Sequence, residues 1–226
     1  MVSYSDARAA PVRWEQVDTV LLDMDGTLLD LRFDNYFWQE LVPERFAARQ
    51  RVSPQQALEQ LVPRFAAKQG TLDWYCTDYW SRELGLDIAG LKREVGSRVC
   101  FLPGAEQFLM HLRAQGLRAV LVTNAHRDSL SVKTQQTGLA GYFELTVSSH
   151  QFGVPKEHPQ FWSMLETQLQ FDPRRAVLID DNLAVLRAAH QYGIAQVVAV
   201  TQPDSGQPAR SISEFPSIAA VIDLLG

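Results

Sequence analysis

The feature that most constrains the fold is an alternation along the chain. Short apolar runs rich in β-branched residues occur at Val17–Asp23, Ala119–Thr123, Glu144–Ser148, Ala176–Asp180 and Gln196–Val200. Such runs, apolar without a polar alternate, are strands buried on both faces. Between the later runs lie helical stretches with matching punctuation: Pro103 to Gln115 before Gly116, Arg127 to Thr137 before Gly138, His158 to Gln170, and Asn182 to Tyr192 before Gly193. Strand and helix in strict succession specify an α/β chain with a doubly wound parallel sheet, because parallel neighbours require crossover helices.

One segment breaks the alternation. From Leu31 to Cys100 the periodicity is helical and no strand pattern recurs, with Pro43, Pro54 and Pro63 marking expected helix starts or breaks. The alternation resumes at Leu102-Pro103-Gly104, a pair suited to a hinge. Length agrees: 226 residues exceed one typical domain of roughly 150 by about half a domain. The expected division is a core of residues 1–30 and 101–226 and an inserted helical cap of residues 31–100. The insertion is rich in aromatics (Phe33, Tyr36, Phe37, Trp38, Phe46, Phe65, Trp74, Tyr75, Tyr79 and Trp80), most of which are expected to form its core, with one or two facing the crevice. Arg32, Asp34 and Asn35 are candidate polar contacts at its entrance.

Composition narrows the function class. Hydrophobic residues at 46% and charged residues at 21% are ordinary for a globular chain, which excludes disorder and fibrous architectures. A net charge of -5 gives no basic surface for a nucleic-acid backbone. Cys76 and Cys100 lack CxxC spacing and are expected as reduced thiols packed like small hydrophobes, and the five histidines show no ligand spacing, so no zinc site is expected. The start of the chain has no apolar leader and no run approaches a membrane span, so the expected location is the cytoplasm.

The chemistry sits where the runs end. In an open parallel sheet, ligands bind outside the carboxyl ends of the strands, and three runs end in Asp23, Thr123 and Asp180. The first continues as Asp23-Met24-Asp25-Gly26-Thr27, where extended alternation puts Asp23 and Asp25 on one side and Gly26 permits a sharp turn. The fourth ends in Asp180-Asp181-Asn182 before a helix. Taken singly, an Asp-Gly turn or an Asx helix cap would explain each. Together, four carboxylates converging at about 5 Å would repel by about 3 kcal/mol per pair at an effective dielectric near 20. A hard divalent cation relieves that load, and Mg²⁺, which shares its coordination between carboxylates and phosphate oxygens, is the expected cofactor. Thr123, Asn124 and Lys156 would supply phosphate donors.

These residues resemble the haloacid dehalogenase-like superfamily of phosphohydrolases, whose most specific signature matches Leu21-Leu22-Asp23-Met24-Asp25-Gly26-Thr27, with the Thr, Lys and paired Asp following in the family's order. The strings DTVLLDMDGTLLDL, FDNYFWQ, DYWSRELGLD, LVTNAH, FGVPKE and TQPDSG extend a likeness to its GMP/IMP nucleotidases over nearly the whole chain. Two departures occur: many capped relatives read Lys-Pro where this chain has Pro155-Lys156, and relatives with a Gly-Asp-x-x-x-Asp motif have Gly and Asp where this chain has Asp180 and Val185. The resemblance implies Asp23 as nucleophile, Asp25 as general acid and base, Thr123, Asn124 and Lys156 on the phosphoryl group, and Mg²⁺ held by Asp23, Asp25 through its carbonyl, and Asp181. Asp180 would act through water or behind the ligands. Acting as acid first, Asp25 should carry a pKa raised relative to Asp23. The implied substrate is a phosphate monoester, a purine nucleoside 5′-monophosphate in particular; phosphoglycolate and sugar phosphates are the alternatives. A dehalogenase would need neither Asp25 nor the late Asp pair. A phospho-acceptor receiver has its acid pair first, and serine-hydrolase, Walker and dinucleotide motifs are absent from the sequence.

Overall fold

A computed structural model describes residues 11–225. Residues 1–10 lie outside it, and with them the start of the chain on which the reading of no secretion leader rests. In chain order the elements begin with β1 (Thr19–Leu22), then α1 (Arg32–Tyr36), a π-helical turn (Phe37–Leu41), α2 (Val42–Gln50), α3 (Pro54–Lys68), α4 (Leu72–Tyr75), α5 (Thr77–Leu84) and α6 (Ile88–Glu94). There follow α7 (Ala105–Ala114), β2 (Arg118–Thr123), α8 (Arg127–Thr137), β3 (Leu145–Ser148), α9 (Pro159–Leu169), β4 (Ala176–Asp180), α10 (Leu183–Tyr192), β5 (Gln196–Val200) and β6 (Ser217–Ile218). All five expected strands are present, and β6, two residues long and without a readable pattern, is added at the edge.

The sheet is parallel with strand order β3-β2-β1-β4-β5-β6. Its register explains the apolar runs. Val20 and Leu22 of β1, Leu121 of β2, and Val177 and Ile179 of β4 face one layer, where α7 contributes Phe108, Leu109 and Leu112. Leu21, Val120, Val122 and Leu178 face the other, packed on Phe161, Trp162 and Leu165 of α9 and on Leu186 and Ala189 of α10. Each fully buried side chain of this size contributes about 1.5–3 kcal/mol of transfer free energy, so neither face tolerates a polar residue. Strand order reverses between β1 and β4, and the crevice at this switch point opens above Asp23 and Asp180.

From Arg32 to Arg98 every element is helical, and these helices carry an apolar cluster of their own, including Phe37, Phe46, Leu61, Trp80 and Ile88. The outgoing and returning segments run side by side: Asp30 N–H donates to Cys100 O at 2.9 Å and Leu102 N–H to Leu28 O at 2.8 Å. Of the three prolines, Pro54 begins α3 inside a capping box formed by Ser53 and Gln56. Pro43 instead follows the π turn, in which Val42 N–H reaches back five residues to Phe37 O. That wider turn accommodates a residue that cannot donate to the helix. Pro63 lies inside α3 and does not break it, contrary to expectation; it lies on the solvent-exposed side, where a carbonyl left without a donor is open to water. No described helix is long and apolar enough to cross a membrane. The thiols also depart from expectation, because Cys100 is exposed and Cys76 half-buried. Each sits between elements, Cys76 between α4 and α5 and Cys100 ahead of α7.

Candidate active site

The first loop is built around one glycine. Gly26 has φ of 83°, and a Cβ there would lie 2.8 Å from Pro203 Cβ and 2.9 Å from Asp181 Cγ, so both conformation and space require glycine. The turn it makes is closed by Gly26 N–H donating to Leu29 O and Leu28 N–H to Met24 O. Pro203 belongs to the TQPDSG loop, which buttresses the same region: Leu31 N–H donates to Pro203 O at 2.9 Å and Ser205 Oγ to Asp30 Oδ2 at 2.5 Å.

Asp23, one residue beyond β1, is buried, its N–H bonded to Ile179 O across the switch point. One carboxylate oxygen each from Asp23, Asp180 and Asp181 lies within 4.8 Å of the other two. Burial raises the pKa of all three; Asp180 adds to the rise at Asp23, and Asp180 and Asp23 both add to it at Asp181. Among these carboxylates lies a single ammonium. Lys156 Nζ donates to Asp23 Oδ1 at 2.5 Å, to Asp180 Oδ2 at 2.7 Å and to Val122 O at 3.0 Å. Burial acts to lower its pKa, but Asp180 and Asp23 outweigh it and the net shift is upward. The Pro155-Lys156 order does not cost the lysine its reach. Its N–H donates to Asn124 Oδ1 at 2.9 Å and its carbonyl accepts from Trp162 Nε1 at 2.9 Å, which aims the side chain inward.

The paired acids are not equivalent. Both Asp180 oxygens are engaged, Oδ2 by Lys156 and Oδ1 by Asn182 N–H at 2.8 Å. Asp181 is the freer, facing Arg210 Nη2 at 3.4 Å, while the same guanidinium donates to its carbonyl at 2.8 Å. Three clustered carboxylates with one lysine between them, all with raised pKa, are an oxygen donor set suited to a hard divalent cation.

Asp25 shares the cavity with Asp23 but is not a fourth member of this cluster. Its carboxylate is turned to Lys133 Nζ, 2.6 Å away, and Lys133 also reaches Asp34 Oδ2 at 2.5 Å. Asp34 in turn meets Lys92 Nζ at 2.8 Å. Burial raises both catalytic candidates, Asp25 to about 6 against the pull of Lys133 and Asp23 to about 7 against that of Lys156, so Asp25 is raised as expected, without the expected excess over Asp23. Asp34, flanked by two cations, is held well below the usual carboxylate range despite its burial.

Of the phosphate-binding candidates, Thr123 lies at the end of β2 with Oγ1 accepting from Ala125 N–H at 3.0 Å. The Asn124 side chain accepts from Lys156 N–H through Oδ1 and donates through Nδ2 to Glu157 Oε2 at 2.9 Å. Glu157 also accepts from Tyr75 Oη at 2.6 Å, joining α4 to the sheet side of the crevice. Arg32 does not line the cavity; its side chain is 62% exposed beside Asp30. Asn35 does, while its Nδ2 donates to Asp204 Oδ2 at 2.7 Å.

All of this opens into one cavity of about 520 Å³, a common size for a small-molecule site. The acids and Lys156 line it together with Gln39, Gln69 and four aromatics, Trp38, Phe65, Trp74 and Tyr75, where one or two were expected. Three of these rings pack edge to face: Trp38 with Phe65, and Phe65 with Trp74.

Comparison with known proteins agrees with this architecture. The chain is 46% identical over 207 residues to the GMP/IMP nucleotidase YrfG of Escherichia coli, covering 92% of this chain and 93% of that protein. It is 25% identical over 212 residues to a phosphoglycolate phosphatase of Nitrosococcus oceani, covering 84% and 92%. A solved HAD phosphatase from Thermococcus onnurineus superposes with a TM-score of 0.77 at 21% identity over 92% of this chain and 96% of that one, which shows the fold. The profile described as haloacid dehalogenase-like hydrolase matches residues 17–193. With its switch-point acids, its lysine and its sheet order in place, the chain belongs to the haloacid dehalogenase-like hydrolase family.

Proposed function

We propose that the protein is a divalent-metal-dependent phosphatase of purine nucleoside 5′-monophosphates, GMP and IMP in particular, acting through an aspartyl-phosphate on Asp23. The observation that carries this reading is that one cavity joins a phosphoryl-transfer base (Asp23, Asp180, Asp181 and Lys156) to an aromatic wall (Trp38, Phe65, Trp74 and Tyr75). The likeness to a GMP/IMP nucleotidase supports the same substrate class. In this reading residues 31–100 are a cap over the core of residues 1–30 and 101–226, carrying the base-recognising wall.

Asp23 Oδ attacks phosphorus in line with the ester oxygen, and the P–O bond to the nucleoside breaks as the bond to Asp23 forms. Asp25 gives its proton to the departing alkoxide and later accepts one from the water that cleaves the aspartyl-phosphate, releasing inorganic phosphate. A pKa of about 6 suits a group that serves as acid and then as base near neutral pH. Lys156 and Thr123 hold the transferring oxygens, and Asn124 fixes Lys156 by accepting its N–H. Asp23, Asp181 and the Asp25 carbonyl, with Asp180 behind them, would hold Mg²⁺, which when bound would neutralise charge on the phosphoryl group and favour the ionised form of Asp23. Closure of the cap excludes water from the reacting group.

Lys133 acts here as a positioning residue for Asp25. Lys133→Met removes the cation that pulls Asp25 down, so the Asp25 pKa rises. The high-pH limb of kcat/KM, which reports loss of the acid's proton, should move upward. A limb unchanged in Lys133→Met shows that Lys133 does not set Asp25.

The substrate reading is tested with a panel of phosphate monoesters, assayed with Mg²⁺ and again with a chelator. GMP and IMP should exceed phosphoglycolate and sugar phosphates in kcat/KM, and chelation should abolish all activity. Stacking of about 1–3 kcal/mol per base predicts that Trp74→Ala raises KM for GMP by about 5- to 150-fold while sparing phosphoglycolate. Faster turnover of phosphoglycolate would replace the nucleotidase reading with that of another small-molecule phosphatase, and activity surviving the chelator would overturn the metal.

A further inference from the structure

Away from the phosphoryl site, the fold brings together three residues that the sequence keeps far apart. Cys76 precedes α5 in the helical segment, His126 precedes α8 after β2, and His150 lies in the one-turn helix after β3. Cys76 Sγ and one nitrogen from each ring lie within 4.8 Å of one another. Linear spacing hid this group, since 50 residues separate the Cys from the first His and 24 separate the two His.

The hydrogen bonding leaves lone pairs unused. Thr77 Oγ1 lies 2.6 Å from His126 Nδ1 and 3.1 Å from Asp128 Oδ2, and His126 Nε2 lies 3.6 Å from Asp78 Oδ2. In the tautomer whose Nδ1–H donates to Thr77, the Nε2 lone pair is left for a metal, as in a ligating histidine whose other ring nitrogen is anchored by a protein acceptor. The His150 ring packs perpendicular to His126 with centroids 4.9 Å apart, and its Nε2 is buried with no hydrogen-bond partner among the described residues. A buried polar nitrogen without a partner calls for an occupant. Among the described residues Cys76 Sγ accepts only from Tyr79 N–H at 3.4 Å.

We propose that Cys76, His126 and His150 form a site for a Zn²⁺-class ion, separate from the phosphoryl site. One thiolate and two imidazoles are the ligand set of a borderline-soft, tetrahedral ion and a poor one for Mg²⁺. Cys76 comes from the helical segment and His126 and His150 from the sheet side, so the ion cross-links the two across the crevice. Thr77, next to Cys76, lines the active cavity. An occupied site therefore braces the crevice and slows exchange of substrate and product.

The test is titration of the reduced full-length protein with Co²⁺ in excess Mg²⁺, which keeps the carboxylate cluster occupied. The wild type should develop a thiolate-to-cobalt charge-transfer band and intense tetrahedral d–d bands, both displaced by Zn²⁺. Cys76→Ser, which keeps an acceptor for Tyr79 N–H, and His150→Gln should weaken binding by at least about tenfold, the loss that even an outer partner of a metal ligand produces. Cys100→Ser should bind as the wild type does. Zn²⁺ should raise the melting temperature of the wild type and slow its turnover, and do neither to Cys76→Ser. A wild type without the charge-transfer band, a band that persists in Cys76→Ser or vanishes in Cys100→Ser, or Zn²⁺ inhibition that survives in Cys76→Ser would each overturn the proposal.

Discussion

Asp23→Asn should lose at least about 10⁴-fold in kcat, the scale on which removing a nucleophile acts in other covalent enzymes. The amide is a poor nucleophile, and nothing else at the base of the cavity can replace it, since both Asp180 oxygens are engaged and Asp181 lies toward Arg210. The fold should survive. Asn retains an acceptor for Lys156, and the change removes one of three carboxylates whose raised pKa values register their crowding. Melting temperature should stay close to that of the wild type, and near-normal turnover in a folded Asp23→Asn protein would end the mechanism proposed above.

Lys156→Met should damage stability as well as catalysis. Lys156 is 2% exposed and donates to Asp23, Asp180 and Val122 O, so its removal leaves two buried carboxylates facing each other. Breaking a buried ion pair from one side costs about 3–5 kcal/mol. The loss depends on pH in a definite direction. Asp23 already has a folded-state pKa of about 7 against an ordinary carboxylate value near 4, and without the lysine it rises further. A group raised in the folded state stabilises fully below its unfolded pKa and loses that contribution as pH rises through the folded one. Both proteins lose stability alike between pH 4 and 7, so the deficit of Lys156→Met that comes from Asp23 should stay small up to about pH 7 and grow above it, as the wild-type carboxylate ionises in the folded state and the variant's does not. Unfolding in urea at several pH values, with chelator present, measures it; a deficit independent of pH would show that packing, and not the carboxylates, accounts for the loss. In kcat, removal of a donor to the developing charge costs about 10²–10³-fold.

What the sequence disclosed, it disclosed through local patterns. Ala176–Asp180 and Arg127–Thr137 appear as read, because a run of β-branched residues and a helix closed by Gly138 are decided within a few residues. The convergence of Asp23, Thr123 and Asp180 followed from topology, since in a parallel sheet the strand ends must share one edge. Long-range charge pairing could not be seen in this way. Lys133 and Lys92 look like ordinary helix-surface residues, yet each falls on a buried stripe, Lys133 with Ser129 and Val132, and Lys92 with Ile88. That spacing was the one available signal that these cations point inward. Without them the counter-charge on Asp25 could not be read, because Lys133 reaches it from more than a hundred residues away. Glu157, which ties Tyr75 to Asn124, was missed for the same reason. Pro63 was misjudged because a proline's cost in a helix depends on whether water reaches the freed carbonyl, which the linear pattern does not record.

The covalent role of Asp23 is tested most directly by quenching the enzyme in acid during turnover of GMP with Mg²⁺ and sequencing its peptides by mass spectrometry. The account predicts a phosphoryl group on the peptide carrying Asp23, lost on alkaline treatment as an acyl phosphate is, and absent from Asp23→Asn. Turnover at full rate with no phosphoryl group on that peptide, or with one on Asp25 or another residue, would contradict it.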